Sequence, residues 1–388
     1  MSFHAGYACA SSGACCSAGW PIPVEAHVLP VLRGAIESGA VVAGRGSRSL
    51  TFPEARPEEV GAVLGRTATG ACVFFDRGQR DGCCRVQRHA GMAAMPIACR
   101  QFPRIVRHDA DGTDISLSHW CPTALSTLDE PAGPARIVDA PGGLAAHALE
   151  GLDARETWPP LLRADCLADR DAYDAVEAAT VDILANGSGP VHGRLRRVAA
   201  LYERLRTWRP GEPQTTFVFR TIREWQDSPH DDVAGVHGDA IEGHARAALR
   251  DAVLEAVPRE ERWRVPGHPP AAPPHDARDV LDAPAASRRL GRYLAARAFG
   301  AWIAYQGRGL RTVAAYLAAV LATVECWLPA VDGRDADDRC VTGEPADARV
   351  AAAIRTADLL LLHLGSPERL ARSLSDWERA PLPFSASG

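Results

Sequence analysis

Apolar residues recur with helical spacing over most of the chain beyond residue 144. That pattern predicts helices over Asp171–Asn186, Val191–Trp208, Asp239–Val257, Ala285–Gln306, Gly309–Leu328 and Asp347–Leu364. Gly187 supplies a stop for the first of these, and a proline-dense break from Val265 to Pro274 divides the series into two groups. No internal repeat at a period of about 20–50 residues and no low-complexity tract is present.

The first third reads differently. Val24–Ser38 places Val28, Leu29, Leu32 and Ile36 on one face of an amphipathic helix, and a loop rich in glycine and arginine follows from Gly39 to Ser49. Pro57–Thr67 is expected as a short helix with proline in its first turn. Two β-hairpins are expected next. One pairs Ala71–Phe75 with Cys84–Gln87; the other pairs Arg104–His108 with Asp114–Ser118 across the Asp111-Gly112 turn. Residues 129–143 hold Pro131, Pro134, Pro141, Gly142 and Gly143 and read as a linker, with a short strand at Arg136–Val138. The expected fold is mainly α: an N-terminal cysteine-cluster domain with two small β-hairpins (1–128), the linker (129–143), and an α-helical domain (144–388).

Composition narrows the function by exclusion. The chain has 388 residues, 46% hydrophobic and 23% charged, which is a globular balance. A net charge of −5 gives no general attraction to nucleic acid or to an anionic membrane, and neither is an expected partner. The longest apolar stretch, Val313–Val331, is interrupted by Glu325 and Pro329, so no membrane span is expected. No basic stretch leading into an apolar run precedes Gly19, and a cytoplasmic location is expected. All 43 basic residues are arginine. Without lysine there is no Schiff base and no P-loop cation, which excludes pyridoxal-phosphate enzymes and Walker-type NTPases.

The cysteines carry the chemistry. Eight of the 11, Cys9, Cys15, Cys16, Cys72, Cys83, Cys84, Cys99 and Cys121, fall in the first third. In a reducing compartment such a group serves ligation sooner than disulfides. Thiolates are soft donors suited to zinc, copper(I) and iron–sulfur clusters, and four of them complete a tetrahedral zinc or a four-iron cluster. Hairpin closure would bring Cys72 near Cys83 and Cys84, and Cys99 near Cys121. The side chains of adjacent cysteines in extended chain point opposite ways, which suits two sites or a bridged one. Arg85, Arg88, Arg100 and Arg104 lie beside these cysteines and either offset thiolate charge or form a solvated surface. Cys166, Cys326 and Cys340 are scattered and are expected to be non-ligands.

The ordered segments Cys15-Cys-Ser-Ala-Gly-Trp-Pro-Ile22, Cys72-Val-Phe-Phe-Asp76, Cys83-Cys-Arg-Val-Gln87, Cys99-Arg-Gln-Phe-Pro-Arg104 and Leu117-Ser-His-Trp-Cys-Pro122 resemble the YkgJ-type cysteine-cluster family, described as zinc- or iron-chelating. They are closest to its subgroup containing flagellin lysine-N-methylase. The resemblance covers roughly residues 7–128, and Ser12 stands where many members carry a further cysteine. It implies that Cys9, Cys15, Cys16, Cys72, Cys83 or Cys84, Cys99 and Cys121 hold an iron–sulfur cluster, of the 4Fe-4S kind, or zinc. Two alternatives come with it: a protein lysine N-methyltransferase using S-adenosylmethionine on a protein substrate, and a structural zinc module in a partner-binding scaffold. Whether the chain is an enzyme, and its oligomeric state, stay open at this point.

Other groups are weaker. His119 is read as a surface or capping residue before a ligand, and His4, His89 and His108 less still. Cys84 and Cys99, each followed by arginine, are weaker as nucleophiles than as ligands. Gly44-Arg45-Gly46 and Gly187-Ser188-Gly189 lack the context of a cofactor-binding turn and read as loops. Tyr293, Trp302, Tyr305, Tyr316 and Trp327 read as core before pocket, and Arg194, Arg196, Arg197 and Arg204 as a solvated helix face.

Overall fold

A computed structural model describes residues 1–44, 48–52, 58–76, 84–130, 133–140, 149–227, 239–265, 273, 277–328 and 345–379. The fold is mainly α, with 57% of residues helical and small sheets of two or three strands. Short elements come first: α1 (Ala14–Ser17), β1 (Pro23–Glu25), α2 (Leu29–Glu37), β2 (Leu50–Thr51), β3 (Val60–Leu64), α3 (Arg85–Ala90), α4 (Ile97–Gln101), β4 (Arg104–His108), β5 (Thr113–Leu117) and α5 (Pro122–Ser126). Then come β6 (Leu152–Asp153), β7 (Leu161–Arg163) and β8 (Cys166–Leu167). Long helices follow: α6 (Arg170–Asn186), α7 (Val191–Leu205), α8 (Gln214–Asp227) and α9 (Asp239–Ala256). The rest are α10 (Ala277–Asp282), α11 (Pro284–Ala298), α12 (Ile303–Gln306), α13 (Leu310–Trp327), α14 (Pro345–Asp358) and α15 (Pro367–Leu374).

The large core is built around α13, which packs against α7, α9 and α14. This helix is mostly apolar around its whole circumference, as a helix enclosed by others can be, with Glu325 and Arg311 as its charged residues. By length and composition it could cross a bilayer, and 94% of it is buried within the protein. Met1, Phe3, Leu125 and Leu128 insert into this same core from the chain's beginning, from α5 and from the 3-10 turn that follows it. A second, smaller core gathers Ile22, Val24, Leu32, Ala62, Leu64, Val73, Phe74 and Val86 under the sheet β1-β3-β2.

Several expectations change. The predicted helix Pro57–Thr67 is instead the strand β3 over its described part, because Ala62 and Leu64 alternate inward with period two, and Val60 and Val63 are β-branched. The first hairpin reduces to a single bridge, Phe75 to Cys84, after which the chain turns into α3; residues 77–83 lie outside the described set. The second hairpin forms, with Arg104 opposite Leu117 and His108 opposite Thr113. Arg136–Val138 is irregular, not a strand. Ala285–Gln306 splits into α11 and α12 at Gly300, whose φ of 66° no helix continues through. Asp347–Leu364 becomes α14 followed by a π-helical turn, Leu359–Leu364. Arg194 is not on a solvated face: it is 3% exposed and bonds Leu184 O at 2.6 Å and Ser287 Oγ at 2.6 Å.

Candidate metal centre

Gly13 adopts φ 74° and starts α1, which turns Cys15 and Cys16 onto one helical turn. Their sulfurs stand 3.8 Å apart. The divergence expected of an extended Cys-Cys pair is therefore absent here, because the local chain is helical. The N–H of Cys72 donates to the carbonyl of Cys16 at 2.7 Å, which lays the second cysteine segment against the first. Cys72 is bridged in turn to Arg66, and Cys84, bridged to Phe75, caps the start of α3. Cys99 lies in α4. All five thiols pack on the smaller core.

Burial and mutual charge set their chemistry. Burial pushes the Cys72 thiol up to about 11, and the neighbouring Cys84 and Cys15 add to it against the pull of Arg66. Cys99 is raised well above its ordinary value by burial and then by Cys15, Cys72 and Cys84. Cys84 is raised chiefly by burial. Within the adjacent pair, the contact between the two thiols lowers Cys15 and, together with burial, raises Cys16. The five thiols thus lie within electrostatic reach of one another, and ionising one opposes ionising the next.

Arg66 is a second cation in this group beside the flanking Arg88, whose charge acts on Cys84, and the flanking-arginine argument did not find Arg66 because it lies outside the cysteine segments. Its Nη1 donates to Gly70 O at 3.1 Å, while Nε and Nη2 are buried with no hydrogen-bond partner. Cys72, Cys99 and Cys16 are the thiols whose charge acts on it. Of the arginines expected to balance the thiols, Arg88 lies where its charge favours the Cys84 thiolate, whereas Arg85 pairs with Asp76 at 3.4 Å and Arg104 sits over the Tyr7 ring at 5.9 Å.

Cys121 stands with a different neighbour. Its sulfur meets the Tyr7 hydroxyl at 3.8 Å, and the charge of Cys9 acts on both. Cys9 is exposed. Cys83 and Cys340 lie outside the described residues. Cys326 is buried in α13, and Cys166 receives a contact from Gln214 at 3.7 Å.

Among the described residues no group of three or more His, Cys, Asp or Glu side chains stands in a ready-made ligand arrangement. The donors nonetheless fit a soft ion in kind. They fit it also in the spacing of Cys15 and Cys16, since tetrahedral bonds of ~2.3 Å to sulfur set adjacent sulfurs about 3.8 Å apart. The unsatisfied N–H groups of Arg66 fit as well, being donors placed among groups that ligation would make anionic.

A polar network lies beside the last cysteine segment. His119 is fully buried, not superficial. Its Nε2 faces that of His4 at 3.1 Å, and its Nδ1 lies 3.5 Å from Asp358. Ser118 Oγ meets His363 Nε2 at 2.7 Å, and the His363 ring stacks on Trp20 at 4.5 Å. Burial holds His4 and His119 below the usual imidazole range, so both are neutral at neutral pH.

No protein-family model, curated protein or solved structure matches the chain. The likeness of its cysteine segments to a known family rests on those segments alone.

Proposed function

We propose that this chain is a metal-binding protein that holds zinc or an iron–sulfur cluster through Cys15, Cys16, Cys72, Cys84 and Cys99. On this reading the smaller core is its cysteine-cluster domain, and Cys9, Cys83 and Cys121 are further thiols of the same region. The observation that supports it is the packing of five thiols from four chain segments against one small core, with a guanidinium within electrostatic reach of them that has unmet N–H donors. Arg66 would donate to ligand sulfur and offset its charge, as groups around a metal's ligands commonly do. Zinc there would tie α1, the Cys72 segment, the start of α3 and α4 together, whereas an iron–sulfur cluster would add electron-transfer chemistry. Among the described residues nothing favours methyl transfer from S-adenosylmethionine to a protein over ligation alone, and the proposal stops at ligation.

Anaerobic purification followed by metal analysis and an absorption spectrum tests it. Stoichiometric zinc without colour, or iron with sulfide and a broad visible band, supports the reading and chooses between its forms. Protein that carries no metal, and that retains none after incubation with zinc or with iron and sulfide followed by desalting, overturns it.

A further inference from the structure

A buried charged centre lies where the β4–β5 hairpin meets α6. Arg107 of β4 is 2% exposed, and three carboxylates surround its guanidinium. Nη1 donates to Glu177 Oε1 at 2.9 Å, and Nη2 to Glu177 Oε2 at 3.3 Å. Nη2 also meets Asp114 Oδ2, and Nε lies 3.5 Å from Asp109 Oδ2. The Tyr305 ring of α12 faces the guanidinium at 5.6 Å. Glu177 Oε1 accepts the N–H of Gly300 at 3.1 Å, and the Trp302 indole donates to Val106 O at 2.9 Å. The centre thus ties the hairpin and α6 to the corner between α11 and α12.

Charge at this centre is out of balance. Asp109, Asp111 and Asp114 of the hairpin and Asp174 and Glu177 of α6 stand around it, against Arg107, Arg170 and the Met1 ammonium. Arg170 is engaged by Asp111 at 3.3 Å, and the ammonium acts on Asp114. Tyr173, Tyr202 and Tyr305 face Glu177 from α6, α7 and α12, and burial keeps all three phenols protonated. Glu177 is the most deeply buried of the five carboxyls. Burial raises it, Arg107 opposes the rise, Asp114 adds to it, and the result is about 7. Oxygens of Glu177 and Asp114 meet the same nitrogen of Arg107 and so lie side by side. A proton taken up there removes their mutual repulsion.

We propose that the Arg107 centre is a pH-sensitive brace: Glu177 takes up one proton as the pH falls through neutrality, and the corner between α11 and α12 is then held more firmly against β4 and α6. A carboxyl raised by folding holds its proton more tightly in the native state than in the unfolded chain. Its contribution to stability is fully present below about pH 4.5 and is lost as the pH rises through about 7. The inference is independent of the metal reading, because the centre shares no residue with the thiol site.

The test is urea unfolding of the full chain and of Glu177→Gln at about pH 5.5 and about pH 8.5. Glutamine keeps the acceptor for Gly300 and Arg107 and carries no charge at either pH. The unfolding constant of the wild type, divided by that of the variant, is expected to rise about 30-fold from the lower pH to the higher. Titrations common to both proteins cancel in that ratio. Hydrogen exchange of the unaltered chain gives a readout that needs no substitution. Corrected for intrinsic rates, the amides of Gly300 and α12 should open more often at the higher pH. A ratio that does not change with pH would overturn the proposal, and so would opening at Gly300 and α12 that is the same at both. A pH-dependent ratio found with Asp114→Asn and absent with Glu177→Gln would overturn the assignment of the proton to Glu177.

Discussion

Tyr293 donates its phenolic proton to Asp358 Oδ1 at 2.7 Å, and the other oxygen of the same carboxylate takes the backbone N–H of His119. Asp358 has no exposed surface, and Arg297 stands 3.7 Å away. Burial alone would raise this carboxyl. The charge of Arg297 and the bonds from His119 and Tyr293 outweigh it and hold the carboxyl down at about 2. One carboxylate at the end of α14 thus joins α11 to the Ser118–Cys121 segment.

Removing that carboxylate should be costly. Asp358→Ala leaves Arg297 buried without its counter-charge, and breaking a buried pair from one side costs about 3–5 kcal/mol. Tyr293→Phe removes one hydrogen bond and should cost about 1 kcal/mol. Denaturant unfolding of both variants checks the order. Equal effects would show that Asp358 matters only as an acceptor for Tyr293.

This network also marks where sequence reading stops. The long helices were legible because their apolar spacing is regular, and β4–β5 was legible because Asp111-Gly112 is strong turn chemistry. Helix α8 was missed, since arginines and threonines interrupt its apolar residues. β3 was mistaken for a helix because a five-residue strand offers too few positions to separate the two periods. The thiols were legible by type. Arg66 was not, because backbone pairing and not sequence adjacency brings it to Cys72. The contact of His119 with Asp358 spans 239 residues, and no local pattern encodes it.

A second buried cluster gives a pH signature. His192 bonds Asp282 at 3.2 Å and Glu325 at 2.6 Å. Burial opposes its positive charge, but the two carboxylates together prevail and raise it from 6.5 to about 9. The folded imidazole therefore keeps a proton that the unfolded one releases. This stabilisation is fully present below about pH 6.5 and is lost as pH rises through about 9, with a full size of about 3 kcal/mol. Wild-type stability should fall across that interval by urea unfolding. His192→Gln should be less stable at pH 6 and should lack the decline; a variant with the wild-type slope would assign the slope to another group.

Packing at the thiols makes a sharper demand. Gly13 has a left-handed φ, and a Cβ there would run into the Phe75 ring. Gly13→Ala therefore adds backbone strain to a collision at the start of the helix that carries Cys15 and Cys16. The expected result is a loss of about 1–3 kcal/mol together with weakened metal retention. Gly39→Ala has comparable strain, at φ 76°, but an open surrounding. It should leave metal retention intact, and chelator-release kinetics on the two variants separates local packing from general strain.

The most direct test of the thiol site uses a residue that is not a ligand. Arg66 has Nε and Nη2 buried without partners; burial and the neighbouring Arg264 weaken its hold on the proton, and the charges of Cys72, Cys99 and Cys16 work the other way. If the thiols hold an ion, Arg66→Met removes charge compensation and sulfur-directed hydrogen bonds while preserving most of the side-chain volume. Metal affinity by chelator competition should then fall about 10–100-fold, the usual range when a group supporting the ligands is lost. In the metal-free protein the same change removes a buried guanidinium whose donors are unmet, so stability should hold or rise. Opposite signs in the two forms would be the mark of a guanidinium placed to serve a ligated site. A parallel loss of stability with and without metal would instead make Arg66 a packing residue, and Cys72→Ala, measured in the same way, would then show whether the thiols bind metal at all.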